Sequence, residues 1–299
     1  MDSGIKSSFI VQIISTEGII RSEYLESKLT ELGIKFQISP GVVPNVIDFQ
    51  DGVLHSAFLY KLLSQRTGSI GEIGCGLAHR VAMKNFLNSN HKFGIIFEDD
   101  AEIIADFDFN ILTNNLNSDL PIIIVLGWIP GFAVAKYPQI PSTDEIIELM
   151  TAPTCTFAYA INRSAATLMI DAHEKIIDVV DWPIYALNKV NFYATRWPWV
   201  TASHDPKFSI IGVRSPIIPK SVIGVLASRI RMLTYLVTLG LLSNTKILKV
   251  SPKQIIHQLI IRGWLHRYGV SQVAEKLISN EVVPAPLKFQ YILHLLKLN

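Results

Sequence analysis

The sequence predicts an α/β fold with a helical region at its C-terminal end, and three observations carry this. The chain opens strand–helix–strand: a β-rich apolar run at Phe9–Ser15, helical spacing of Ile20, Tyr24, Leu25, Leu29 and Leu32, and a second strand at Ile34–Ile38. Mid-chain, a buried-type strand at Phe93–Phe97 stops abruptly in Glu98-Asp99-Asp100. From Lys220 onward the pattern is helical to the end.

The elements follow in order. Gly33 stops the first helix, Glu17–Leu32. Residues 40–52, rich in Pro, Gly, Asn and Asp, read as a loop before a helix at about 53–65. Gly68–Gly76 (GSIGEIGCG) reads as a tight glycine-dense turn feeding a helix over Leu77–Leu87. After the acids, a helix at about 106–117 leads to a strand at Ile122–Leu126, then a polar, proline-bearing excursion from Gly127 to Pro153. Thr156–Ile161 is a strand, Ser164–His173 a helix, and Asp181-Trp182-Pro183 opens a further helix. Trp199–Ala202 and Ser209–Val213 are late strands. There is no internal repeat and no low-complexity segment.

Composition bounds the function classes. The 299 residues allow one large domain, or one domain with an appendage. At 49% hydrophobic, 17% charged and a mean hydropathy of +0.33, the chain has ample apolar material for a core, which excludes disorder. Two cysteines, Cys75 and Cys155, exclude a disulfide scaffold and fit a reducing, intracellular compartment. With no CxxC and no Cys/His ligand spacing, no structural zinc site is expected.

The net charge of +2 conceals an asymmetry. Residues 1–219 carry 16 Lys/Arg against 23 Asp/Glu, and residues 220–299 carry 11 Lys/Arg against Glu275 and Glu281 alone. The expected division is therefore an acidic α/β domain, 1–219, and a basic helical region, 220–299. Met1 to Thr16 has too short an apolar run for a secretory signal. Ser221–Ser243 resembles a membrane span, but Arg229 and Arg231 would each cost about 2.5–3.5 kcal/mol at a bilayer centre. The uninterrupted run after them, Met232–Leu242, falls short of the roughly 20 residues a span needs. An interfacial or protein-packed helix is expected there.

Chemistry concentrates at Glu98-Asp99-Asp100. In open α/β sheets ligands bind beyond the carboxyl ends of the strands. Consecutive carboxylates repel unless a cation or hydrogen-bond donors offset the charge. A Mg²⁺ or Mn²⁺ ion bridging the acids to a nucleotide diphosphate would do so. The plainer reading is a solvated loop whose acids cap the next helix.

Gly71-Glu72-Ile73-Gly74-Cys75-Gly76-Leu77-Ala78-His79, followed some twenty residues later by Ile96-Phe97-Glu98-Asp99-Asp100-Ala101, resembles glycosyltransferase family 25. Two later segments are also similar: Cys155 to Ala166, matching a G-T-x-A-Y-x-I-x-R-x-x-A pattern, and Val180-Asp181-Trp182, matching P-V-D. The resemblance spans roughly residues 8–215. It departs at Ala78 (usually Ser), at Cys155 (usually Gly) and at Ser15-Thr16 (usually Asn-Leu), which bears on substrate identity more than on reaction type.

The resemblance implies a GT-A-like, nucleotide-sugar-binding sheet flanked by helices. It implies transfer of a hexose, foremost galactose from UDP-galactose, to a saccharide of lipopolysaccharide or a similar surface glycan, with inversion to a β-linkage. Asp100 is then the expected metal ligand, with Glu98 and Asp99 holding the ribose or donor sugar or orienting the metal's waters. Thr156 falls in the matched strand motif as a substrate-binding position. An inverting reaction needs a carboxylate base for the acceptor hydroxyl, and Asp181 is the candidate; its alternative is a helix N-cap ahead of Pro183.

Other residues divide between functional and packing roles. Glu72 contacts the donor or satisfies local backbone donors. His79 shares a helical face with Cys75, Ala82 and Phe86, which makes it a substrate contact or a packed core histidine. Arg21, Arg163 and His204-Asp205 are possible phosphate or metal contacts, or surface groups. No Gly-Lys-Ser/Thr and no GxGxxG are present, so ATP hydrolysis and NAD chemistry are not expected.

The tail, 220–299, interleaves its basic residues with Tyr235, Trp264, Tyr268, Phe289 and Tyr291, which suits peripheral docking on an anionic membrane where lipid-linked acceptors reside. The expected location is the cytoplasmic face of a bacterial inner membrane, with docking of the tail on the α/β body as the alternative. Long aliphatic runs dilute the charge and disfavour nucleic acid. Two rivals stand beside the transferase reading: a metal-dependent nucleotidyltransferase and a non-catalytic glycan-binding relative.

Overall fold

The computed structural model describes residues 3–16, 22–43, 54–57, 60, 68–127, 145–149, 156–177, 182–183, 189–196 and 198–202. Among them are the strands β1 (Phe9–Ser15), β2 (Gln37–Pro40), β3 (Phe93–Glu98), β4 (Ala101–Ile103), β5 (Ile122–Val125), β6 (Ile146–Glu148), β7 (Ala158–Asn162), β8 (Asn191–Thr195) and β9 (Val200–Ala202). The helices are α1 (Ser3–Lys6), α2 (Glu23–Glu31), α3 (Ile70–Asn88), α4 (Phe109–Leu116) and α5 (Arg163–Ala172).

Strand β1, FIVQIIS, is buried along its whole length, as a strand covered on both faces must be. Its polar residue Gln12 is satisfied there: Nε2 donates to the Ala82 carbonyl at 2.8 Å, and Oε1 accepts from Gln37 Nε2 at 3.1 Å. The main sheet runs β2-β1-β3-β7-β5-β8-β6. Strands β2, β1 and β3 are parallel, and β7 enters antiparallel between β3 and β5. Strands β5 and β8 are parallel, and β6 closes the edge antiparallel to β8. A separate two-stranded ribbon pairs β4 with β9.

The period-two alternation of the strands divides the core in two. Ile10, Ile14, Ile96, Ile123 and Tyr159 pack with Ala78, Ala82, Met83 and Phe86 of α3 and with Ala165, Ala166 and Met169 of α5. Phe9, Val11, Ile13, Ile95, Phe97 and Ile124 face the other way, against Leu25 and Leu29 of α2 and Leu112 and Leu116 of α4. Each fully buried side chain of this size stabilises the fold by about 1.5–3 kcal/mol. The result is a mixed α/β fold with helices on both faces of a central sheet.

Several expectations are corrected. The glycine-dense segment is not a turn. Ser69 caps α3, its Oγ accepting from the Glu72 amide at 3.2 Å while Glu72 Oε2 accepts from the Ser69 amide at 3.0 Å. This reciprocal cap satisfies two backbone donors and starts the helix seven residues early, with Gly71, Gly74 and Gly76 inside it. Glu72 is thus a buried capping residue of the first helical turn.

The second strand begins at Gln37 because Gly33, at φ +62°, turns the chain, and the Ile34 amide closes the α2 terminus on the Leu29 carbonyl at 2.9 Å. Arg163, left open as a phosphate contact or a surface group, is tied to backbone instead. Its guanidinium donates to the carbonyls of Leu87 (2.6 Å), Ser89 (3.1 Å) and His91 (3.2 Å), closing the C-terminal end of α3. Strands β6 and β8, which the pattern does not predict, complete the sheet.

The expected strand Ser209–Val213, the division at 219/220 and the basic region 220–299 lie outside the described residues, as do most of the expected helix at about 53–65, Arg21 and His204-Asp205. Among the described residues, no helix is long and apolar enough to cross a membrane.

Candidate functional site

Strand β1 pairs with β3 in parallel register from Phe9↔Phe93 to Ile14↔Glu98, so Glu98 leaves the sheet where β1 ends. Strand β7 starts at that same edge because it runs antiparallel to β3, Phe97 opposite Ala158. Thr156, just before β7, therefore lies beside Glu98. Its Oγ1 donates to Glu98 Oε1 at 2.7 Å, and the Glu98 amide donates to the Phe157 carbonyl at 2.8 Å. Helix α3 crosses beneath and delivers His79, whose Nε2 lies 3.2 Å from the same carboxylate oxygen.

His79 is buried, and its Nδ1 lies 3.0 Å from the Tyr159 hydroxyl. A carboxylate only accepts, so the ring nitrogen facing Glu98 is the donor, and the other ring nitrogen pairs with the Tyr159 hydroxyl. Burial, reinforced by negative charge at Glu98 and Cys75, pushes the Tyr159 pKa well above its ordinary value and keeps the phenol protonated. Tyr159 stacks edge-on with Trp182 at 5.4 Å between ring centroids, and Trp182 with Phe192 at 5.0 Å. A continuous chain of contacts thus runs from Thr156 through Glu98, His79 and Tyr159 to Trp182.

Of the residues expected at the site, the structure brings Glu98, His79 and Thr156 into direct contact. Asp99 and Asp100 form the turn between β3 and β4, both half-buried. Glu72 is engaged in the cap of α3. Asp181 lies outside the described residues, although its neighbour Trp182 is anchored in the core. The sequence assigned no role to Cys75 or Tyr159, yet both belong to the cluster: one sulfur, nitrogen or oxygen atom each of Cys75, His79 and Glu98 lies within 4.8 Å of the others. The i, i+4 spacing of Cys75 and His79 was the available signal.

The donor chemistry of the turn suits a hard cation. Mg²⁺ and Mn²⁺ take oxygen ligands and are commonly held by one or two carboxylates together with substrate phosphates. Asp99 and Asp100 supply two such carboxylates at the C-terminal edge of the sheet. They fit that requirement.

The chain resembles solved structures in part of its path. A197 from STIV is 15% identical, with 65% of this chain and 83% of that one covered at a TM-score of 0.37. Mannose-1-phosphate geranyltransferase from Thermus thermophilus is 10% identical, with 64% and 75% covered and a TM-score of 0.33. The nucleoside-diphosphate-sugar pyrophosphorylase from Vibrio cholerae is 15% identical, with 64% and 75% covered and a TM-score of 0.30. Comparison with curated proteins gives no match. The family described as "Glycosyltransferase family 25 (LPS biosynthesis protein)" matches residues 9–184, more than half of the chain and all of the strand and helix segments that build the Glu98 cluster. The chain belongs to glycosyltransferase family 25.

Proposed function

We propose that this protein is a GT-A-like hexosyltransferase that takes galactose from UDP-galactose and joins it, with inversion to a β-linkage, to a saccharide of lipopolysaccharide or a similar surface glycan. Family membership supports the reaction class and the lipopolysaccharide context. The observation that carries the reading to particular residues is the Glu98 carboxylate, held by Thr156 and His79 at the end of β3 beside Asp99 and Asp100.

The chemistry divides among these groups. The acceptor hydroxyl attacks the anomeric carbon, the bond to the diphosphate oxygen breaks, and the nucleotide diphosphate leaves with the bonding electrons. A bound Mg²⁺ or Mn²⁺ supplies charge stabilisation for that leaving group. Asp100 would hold the ion, with Asp99 orienting its waters or the donor. Glu98 and Thr156 orient the donor sugar or ribose, His79 fixes the Glu98 carboxylate, and Glu72 supports the helix that carries His79. Asp181 takes the acceptor proton.

The basic region 220–299 docks this domain on the anionic cytoplasmic leaflet, where lipid-linked acceptors sit. Removing it should shift the folded protein from the membrane pellet to the supernatant.

Product analysis tests the reaction. Incubation with UDP-galactose and a lipooligosaccharide acceptor should release UDP and yield a glycan one hexose heavier. Pyrophosphate release from a nucleoside triphosphate and a sugar phosphate, without hexose transfer, would favour a nucleotidyltransferase. Glycan binding without turnover of UDP-, GDP- or CMP-sugars would favour a binding module.

A further inference from the structure

We propose that Cys75, His79 and Glu98 form a binding site for a borderline-soft divalent cation, with Zn²⁺ the first candidate, in which three protein ligands leave a fourth position for water or substrate. The site differs in donor chemistry from the Asp99-Asp100 turn but shares Glu98 and His79 with the proposed donor site, so it is tested by metal binding and not by transfer activity.

Geometry supports it first. The three ligand atoms lie within 4.8 Å of one another. Cys75 and His79 sit one turn apart on α3, and Glu98 reaches them from the end of β3. The 3.2 Å between His79 Nε2 and Glu98 Oε1 is close to the edge of about 3.3 Å that a tetrahedron with metal–ligand bonds of roughly 2.0–2.1 Å requires. That pair is already spaced to share an ion, and the Cys75 sulfur lies within 4.8 Å of both.

Donor type supports it second. Thiolate, imidazole and carboxylate together suit Zn²⁺ and disfavour Mg²⁺ or Ca²⁺, which select oxygen. Three ligands with an open position is the arrangement of reactive zinc centres and not of closed structural ones.

The surrounding contacts support it third. A metal-bound histidine usually donates its other ring N–H to an oxygen, and a bound carboxylate is itself hydrogen-bonded. The partners for both stand in place: the Tyr159 oxygen lies 3.0 Å from His79 Nδ1, and Thr156 donates to Glu98 Oε1 at 2.7 Å. With an ion on Nε2 the ring proton would sit on Nδ1, where the Tyr159 oxygen would accept it. The sequence alone does not signal this site, because its Cys-x₃-His pair gains a third ligand only through the strand pairing.

Co²⁺ titrated into the full chain, after metal removal by a chelator, tests this. We expect a single bound Co²⁺ with a thiolate-to-cobalt charge-transfer band in the near ultraviolet, bleached by stoichiometric Zn²⁺ but not by excess Mg²⁺. Cys75→Ser should abolish the band, and His79→Gln, which keeps the thiol, should weaken Co²⁺ binding. Tyr159→Phe should lower affinity about 10–100-fold with an unchanged far-ultraviolet circular dichroism spectrum. Two results would overturn the site. One is no thiolate band in the wild-type chain at saturating Co²⁺. The other is a band that survives Cys75→Ser, which would assign it to Cys155.

Discussion

Thr156 Oγ1 donates a 2.7 Å hydrogen bond to Glu98 Oε1, tying the segment that enters β7 to the last residue of β3. The same oxygen faces His79 Nε2 at 3.2 Å, so one carboxylate joins two strands and a helix. That junction places the acidic turn relative to the rest of the sheet.

Thr156→Val keeps the shape and removes the donor. A hydrogen bond to a charged group contributes about 1.5–3 kcal/mol, and each ~1.4 kcal/mol is tenfold in rate. Hexose transfer should fall roughly 10–100-fold, mostly in kcat, and Thr156→Ser should recover much of it. Steady-state kinetics on the two variants check this.

Ser69→Ala removes one half of the reciprocal cap on α3 while Glu72 stays in place. The expected loss is about 1 kcal/mol, within the 0.5–2 kcal/mol range for such caps. Chemical denaturation measures it, and a second effect should appear on transfer, because α3 also carries His79.

His55 gives a pH dependence. It is buried beside Tyr60, with ring centroids 5.5 Å apart, and burial, aided by the positive charge of Lys175, lowers its pKa from the ordinary 6.5. The unfolded chain then binds a proton more readily than the folded one as pH falls below 6.5. Stability is complete above that value and declines below it. Denaturation midpoints measured from about pH 8 to pH 5 should show this decline, and His55→Gln should flatten it.

Much of the fold was legible in the sequence, for physical reasons that differ by element. The unbroken apolar run Phe9–Ser15 has one stable solution, a strand buried on both faces, and β1 has those bounds. The abrupt end of Phe93–Phe97 in acids likewise marked the edge of the sheet. The start of α3 was misread because each glycine in a helix costs about 1 kcal/mol, which favours a turn. The Ser69–Glu72 cap and the buried face through Ile73, Leu77 and Ala78 outweigh that cost. Strands β6 and β8 are short and depend on neighbours for their pairing, so their own pattern is weak.

The site was legible in its acids but not in its contacts. Cys75 and His79 fall on the same helical face as Ala82 and Phe86, a pattern indistinguishable from core packing until Glu98 and Tyr159 arrive from other strands. Arg163 shows the converse. The sequence left Arg163 as a phosphate contact or a surface group, whereas tertiary structure commits it to the carbonyls that end α3.

The most direct test is a thermal-shift measurement with UDP-galactose and Mn²⁺ on the wild-type chain and on Asp100→Ala. The donor together with Mn²⁺ should stabilise the wild type by about 2.7 kcal/mol at ligand near 100 times its Kd, more than either alone. Asp100→Ala should keep its fold and lose the Mn²⁺-dependent part. Equal Mn²⁺-dependent stabilisation in both proteins would contradict the assignment of the nucleotide sugar to the acidic turn after β3.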